Sequence, residues 1–325
     1  MEKKIITITG AAGNIAYSLI FRILSGNIFP ENTKIQLNLL DIKDALPVLK
    51  GVKYEIEDCT FPNLDNIIIT DSSQLAFTDS DYILLVGAKP RSKGMQRADL
   101  LLDNANIFQK HAAIINQCVS SDAKIIVVGN PANTNALIVQ NFATNIPSKN
   151  ITSLMKLDQN RAKSILSNKL KISVSQISQL AVWGNHSATQ FPDLNHSLVS
   201  NNDVPIKSLD QKWIEDAFIP RVQKRGAEII EHRGKSSAAS AASAIYDHLY
   251  ILVNGSKDWE SMGVMMENTY GINDEIFFSF PLQVLDSNID IINGLDVSEV
   301  SMKYIKDSEK ELLMERDIIK EILTG

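Results

Sequence analysis

Five short runs of mostly β-branched apolar residues punctuate the first half of the chain: IITIT (5–9), IQLNLLD (35–41), NIIIT (66–70), DYILLVG (81–87) and KIIVVGN (124–130). Longer helical patterns separate them. Runs this continuously apolar cannot leave one face in water, so each strand needs helices above and below it. That requirement makes the sheet parallel and its connections crossovers. The pattern predicts an α/β fold built on a doubly wound parallel sheet of Rossmann type. Ligands bind such sheets at the carboxyl ends of the strands.

Past residue 152 or so the texture changes to helices broken by longer loops. A hairpin-like stretch, MGVMMENTYGINDEIFFSFP, follows, and a charged helix near 298–324 closes the chain. We therefore expect a dinucleotide-binding domain over 1–152 and an α+β substrate domain over 153–325. Pro220, inside WIEDAFIPRVQKRGAEIIEH, predicts a helix kinked or divided at that point. The small-residue run SSAASAASA (236–244) suits close packing, either at a subunit contact or within one subunit.

With 325 residues, 44% apolar and 22% charged, the chain is long enough for two cores. Its net charge of -6 is spread through interleaved acids and bases, leaving no basic stripe for nucleic acid and no polybasic segment for a membrane. A small-molecule partner is expected. Cys59 and Cys118 form neither a disulfide framework nor a Cys/His cluster, so no metal site is expected and a reducing compartment fits. The N-terminus enters a strand almost at once and the apolar runs are too short to span a bilayer, which gives a cytoplasmic expectation.

Directly after the first strand, TITGAAGNIAYSLI places Gly10, Gly13 and Ala16 at the opening of a helix. Glycines there let backbone amides approach a pyrophosphate at a helix N-terminus, although a turn needed only for packing would look the same. Asp41 ends the second strand, where a dinucleotide fold puts the acid that receives the adenosine ribose hydroxyls. A carboxylate repels a 2'-phosphate, so NAD is favoured over NADP, with Lys43 nearby as a countering cation.

In LMKLDQNRAKS (154–164) a helical reading puts Leu154, Leu157, Ala162 and Ile165 on one side, with Asp158 and Arg161 sharing a face. Taken alone the pair reads as a solvated surface contact. His186, in the turn LAVWGNHSATQ beyond a predicted strand, gives Asp158 another purpose. An imidazole oriented by a carboxylate can exchange a proton with an alcohol or carbonyl oxygen while a nicotinamide exchanges the hydride. Arg91 and Arg97 flank Gly94 in GAKPRSKGMQRADLL, which suits either a flexible basic loop or a lid over an anion. Together with Arg161 they make three guanidiniums, matched to a substrate with two carboxylates and one carbonyl.

The segments TGAAGNIAYSL, LLDI, GAKPRSKGMQRADLL, VVGNPANTNALI, LDQNRA, WGNHSATQFPD and RGKSSAASAA occur in an order that resembles the lactate/malate dehydrogenase superfamily, specifically its cytosolic malate dehydrogenase type, from about residue 5 to about 322. The resemblance implies NAD-dependent interconversion of malate and oxaloacetate, a step of the tricarboxylic acid cycle, in a homodimer. It implies His186 as proton donor and acceptor, Asp158 as its orienting carboxylate, and Arg161 as the clamp on the C1 carboxylate. Arg91 would pair with the distal carboxylate, Arg97 would polarise the carbonyl, and Asn130 would touch both substrate and nicotinamide ribose. Gly10, Ala11, Gly13, Asn14, Ile15, Asp41, Gly87, Asn104, His111 and Val128 fall on cofactor-lining positions, with Ser240 a plausible wall near the nicotinamide. The pattern departs at His111 and Gln159, where Gln and His respectively are common. Two other readings remain open: a lactate-type 2-hydroxy acid dehydrogenase, in which Arg91 would lack a partner, and a catalytically idle dinucleotide-binding protein.

Overall fold

The structure is a computed structural model that describes residues 2–90, 96–200, 206–265 and 269–324. In the first half β1 (Lys3–Thr9), α1 (Asn14–Ser25), β2 (Lys34–Leu40), α2 (Leu46–Asp58), β3 (Leu64–Thr70) and α3 (Ser73–Phe77) are followed by β4 (Tyr82–Leu85), α4 (Arg97–Cys118), β5 (Lys124–Val127), α5 (Ala132–Phe142) and β6 (Ile151–Leu154). The strands pair in parallel in the order β3-β2-β1-β4-β5-β6. Winding reverses between β1 and β4, so the connections leaving their carboxyl ends diverge and open a crevice there.

Alternation along the strands explains why both faces close. Leu84 and Ile126 point into the core that includes α1 and α2, whereas Ile83, Leu85, Ile125 and Val127 point into the core under α4 and α5. Each such side chain is fully buried and contributes roughly 1.5–3 kcal/mol by leaving water.

The second half begins with α6 (Lys156–Leu170) and four short strands, β7 (Ile177–Ser178), β8 (Ala181–Trp183), β9 (Phe191–Asp193) and β10 (Leu198–Val199), in which β7 pairs with β10 and β8 with β9. Next come α7 (Gln211–Trp213), a π-helical turn (Ile214–Phe218), α8 (Ile219–Arg233) and α9 (Ala239–Asn254). They lead into β11 (Glu260–Val264), β12 (Phe278–Leu285), β13 (Asn288–Ile291), α10 (Glu299–Ile318) and α11 (Lys320–Thr324). β11 pairs antiparallel with β6, then β12 with β11 and β13 with β12, so that among the described residues nine strands form one sheet running through both halves. The expected boundary at 152 falls inside β6.

One local expectation is corrected. Leu154 ends β6 rather than opening a helix, which starts at Lys156. The helical stretch is divided next to Pro220, as expected: a π-helical turn ends at Phe218 and α8 begins at Ile219, with the proline in its first turn. The small-residue run enters α9, which packs on α1 and α6 of the same chain. No described helix is long and apolar enough to cross a membrane.

Candidate active site

The crevice at the β1–β4 switch point is built by two glycines back to back. Gly10 has φ +62°, and a β-carbon on it would lie 2.5 Å from the Gly87 Cα; one on Gly87 would lie 2.8 Å from the Gly10 nitrogen. Thr9 Oγ1 accepts the Gly87 N–H at 3.0 Å and fixes this crossing. Gly13 caps α1 without a side chain, so the amides and the positive end of the helix dipole are presented bare to the crevice. A β-carbon on Gly13 would lie 3.1 Å from the Gly10 carbonyl oxygen. Ala11 is buried, Asn14 is exposed and Ile15 lines the adjoining cavity. The Asp41 carboxylate accepts N–H groups from Ala12 and Ile42, each at 2.8 Å, which ties the ribose-side acid to the glycine turn. This cradle fits a dinucleotide, because the uncapped amides at the start of α1 stand beside the Asp41 carboxylate, as a pyrophosphate and an adjoining ribose require, while Gly10 permits the close approach to Gly87 that forms the crevice.

Two of the proposed cofactor positions have their polar groups engaged elsewhere. Asn104 is fully buried, its Oδ1 accepting the Lys89 N–H at 2.7 Å and its Nδ2 donating to Lys89 O and Leu100 O. It anchors the segment after β4 to α4. His111 has Nδ1 3.4 Å from Ser73 Oγ and its ring edge-on to Phe77. Burial pushes its imidazole down to about 4, so it is neutral at pH 7.

The chemistry-bearing residues meet on the other side of β6. Helix α6 starts with the buried ion pair of Lys156 and Glu260. Gln159 accepts from Lys156 Nζ at 3.1 Å and donates to Leu180 O and Trp259 O, which fixes the first turn. That turn holds Asp158, wholly buried, against His186, with Nδ1 hydrogen-bonded to Asp158 Oδ2. The bond leaves Nε2 as the ring nitrogen that can serve a substrate. Arg161 Nη1 donates to Asp158 Oδ1 at 3.3 Å, so the two charges that shared a helical face share a site. Burial alone would raise the Asp158 carboxyl, but His186, Arg161 and the side-chain amide of Gln190 outweigh it and hold the carboxyl below the ordinary range. Arg161 Nε is buried with no partner among the described residues, a donor left for an anion.

A cavity of about 380 Å³ connects these groups to the cofactor side: Val128 and Asn130 form one wall, and Asp158, Arg161 and His186 another. Gln223, Gly226, Ser236, Ser237 and Ala241, on α8, α9 and the link between them, close it. Ser240 is exposed and does not line it; Ser236, Ser237 and Ala241 take that place. A larger groove of about 670 Å³ between α1 and α2 holds none of these residues. Arg91 lies outside the described residues, and Arg97 opens α4 with its side chain likewise outside them. No cluster of His, Cys, Asp or Glu that could hold a metal occurs among the described residues.

Sequence reasoning did not single out Gln190, whose only signal was its place in the His186 turn. It also passed over Asn133, Ser308 and Glu311, which contact that turn from α5 and α10.

Residues 4–152 match the lactate/malate dehydrogenase NAD binding domain, and residues 155–323 match the alpha/beta C-terminal domain of the same family. Among solved structures, a malate dehydrogenase from Naegleria fowleri is 42% identical, with 99% of each chain covered and a TM-score of 0.96. Trichomonas vaginalis lactate dehydrogenase in complex with NADH and oxamate is 33% identical over 99% of each chain, with a TM-score of 0.94. Malate dehydrogenase from Plasmodium falciparum, at 21% identity and a TM-score of 0.84 over 99% of this chain and 100% of that one, shares the fold. Along nearly its whole length the chain therefore belongs to the lactate/malate dehydrogenase family and is an NAD-binding dehydrogenase.

Proposed function

We propose that this enzyme is a malate dehydrogenase, interconverting (S)-malate and oxaloacetate with NAD(H). The observation that carries the reading is the single cavity in which His186, Asp158 and Arg161 face Val128 and Asn130. Bound nicotinamide supplies or accepts the hydride at C2 of the substrate. His186 gives a proton to the carbonyl oxygen in reduction and takes the hydroxyl proton in oxidation, while Asp158 keeps Nδ1 protonated and stabilises the imidazolium. Arg161, with its unpartnered Nε, clamps the C1 carboxylate.

Specificity for a dicarboxylate rests on Arg91 and on the 42% identity to a protein titled malate dehydrogenase. The lactate-type reading is favoured by the T. vaginalis relatives, one of them an apo leucine-to-arginine variant at 34% identity. Following absorbance of the reduced cofactor with oxaloacetate or pyruvate, and NADH or NADPH, separates these. Oxaloacetate with NADH is expected to give the highest kcat/KM, and Arg91→Gln to shift the ratio towards pyruvate. Preference for pyruvate in the native enzyme, or an unmoved ratio in the variant, would refute the assignment. We propose in addition a cytoplasmic homodimer, for which light scattering in solution should return twice the 36.0 kDa chain mass.

A further inference from the structure

The turn that carries His186 is held from two helices, α5 and α10, by side chains that do not line the cavity beside the imidazole. Gly184, at φ +98°, exchanges backbone hydrogen bonds with Ser279, both at 3.0 Å. On one side Asn133 of α5, fully buried, accepts the His186 backbone N–H at 3.2 Å. Its amide donates to Gly184 O at 3.3 Å and to Phe277 O at 3.0 Å, so both its donors and its carbonyl oxygen are engaged at this junction. On the other side Ser308 of α10, also fully buried, accepts the Asn185 N–H at 2.8 Å. A β-carbon on Gly184 would lie 2.1 Å from Ser308 Oγ, which shows how closely α10 is pressed to the turn.

Asn133 also stands three residues after Asn130, at the start of the helix that leaves the Val128–Asn130 wall. One side chain thus links the wall on the cofactor side to the backbone of the proton-transferring residue. Hydride and proton must reach bonded atoms, C2 and its oxygen, so the wall and the imidazole have to keep a fixed separation. A misplacement near 1 Å can cost roughly a hundredfold in rate.

We propose that Asn133 and Ser308 are positioning residues of the reaction: they set His186 in register with the Val128–Asn130 wall, so that both transfers occur on one carbonyl group. The assignment rests on His186 being the acid-base residue. Ordinary structural hydrogen bonds would affect melting alone; a positioning pair affects the chemical step in enzyme that is fully folded.

The test uses full-length Ser308→Ala and Asn133→Ser, assayed well below their melting temperatures with the 2-keto acid that the native enzyme reduces best. Expected are a kcat lowered about tenfold or more, an unchanged Kd for NADH, and a larger isotope effect on kcat with NADH deuterated at the transferred hydrogen. The isotope effect rises because the transfer becomes slower than product release. Should Asn133→Ser fail to fold, Ser308→Ala decides. Native kcat and isotope effect in the folded variants, with only Tm lowered, would overturn the proposal. His186→Asn serves as control: if it keeps turnover, the acid-base reading itself falls, whereas an inactive His186→Asn beside fully active Ser308→Ala and Asn133→Ser defeats the positioning assignment alone.

Discussion

Asp158 is a wholly buried carboxylate, and its partners decide what it can do. Three donors converge on its two oxygens: the His186 ring, the Arg161 guanidinium and the Gln190 amide. An amide in its place would keep the shape and lose the charge that favours the Nδ1–H tautomer and the imidazolium. Asp158→Asn is therefore expected to lower kcat roughly 10²- to 10⁴-fold with NADH binding retained, measured by steady-state rates and fluorescence titration. Stability follows the same carboxyl. Because its pKa is depressed in the fold, its contribution is fully present above the unfolded value, near 4, and is lost as pH falls through the folded value. Denaturant midpoints of the native protein and of the Asp158→Asn variant should converge on acidification below about pH 4. The Asp158 and Arg161 spacing made their shared face legible, as the isolated turn made His186 legible. Gln190, Asn133 and Ser308 were not, since each acts by burial and approach from segments distant in the chain.

Among the elements, the strands of the first half were readable because two-sided burial writes itself as unbroken apolar runs. Helix starts were less so: nothing in Leu154 distinguishes the last residue of a strand from the first apolar position of a helix. Only pairing of β6 with β11 settles it. The β1–α1 connection carries its own requirement. Gly10→Ala would place a β-carbon at φ +62° and 2.5 Å from the Gly87 Cα, where neither backbone can retreat without moving β1 from β4. A left-handed non-glycine conformation costs roughly 1–2 kcal/mol before the clash is counted. The variant should bind NADH at least about tenfold more weakly, in line with that strain, and melt earlier; native affinity by titration would show that the crossing of the two glycines is dispensable.

At the scale of the molecule, the two halves that differ in sequence texture share one sheet. β6 is hydrogen-bonded to β5 on one side and β11 on the other, so neither half can lose its strands without exposing an edge of the other. The expectation of two domains came from a change of texture in the sequence; composition does not register that β6 is hydrogen-bonded to strands of both halves. Unfolding should accordingly be a single transition. Trp183, Trp213 and Trp259 all report on the second half, and the half-buried thiol of Cys118 on the first, Cys59 being exposed already in the fold. Tryptophan fluorescence and thiol accessibility should give coincident thermal midpoints, and added NADH should raise both together. Separated midpoints would mean that the shared sheet does not couple the halves.

The grip of α10 on the His186 turn also has a consequence in time. Synthesis proceeds from the N-terminus, so the His186 turn is made well before Ser308 and Glu311, which hold it, leave the ribosome. A nascent chain thus carries its histidine before it carries the contacts that settle it, and competence for proton transfer waits on α10.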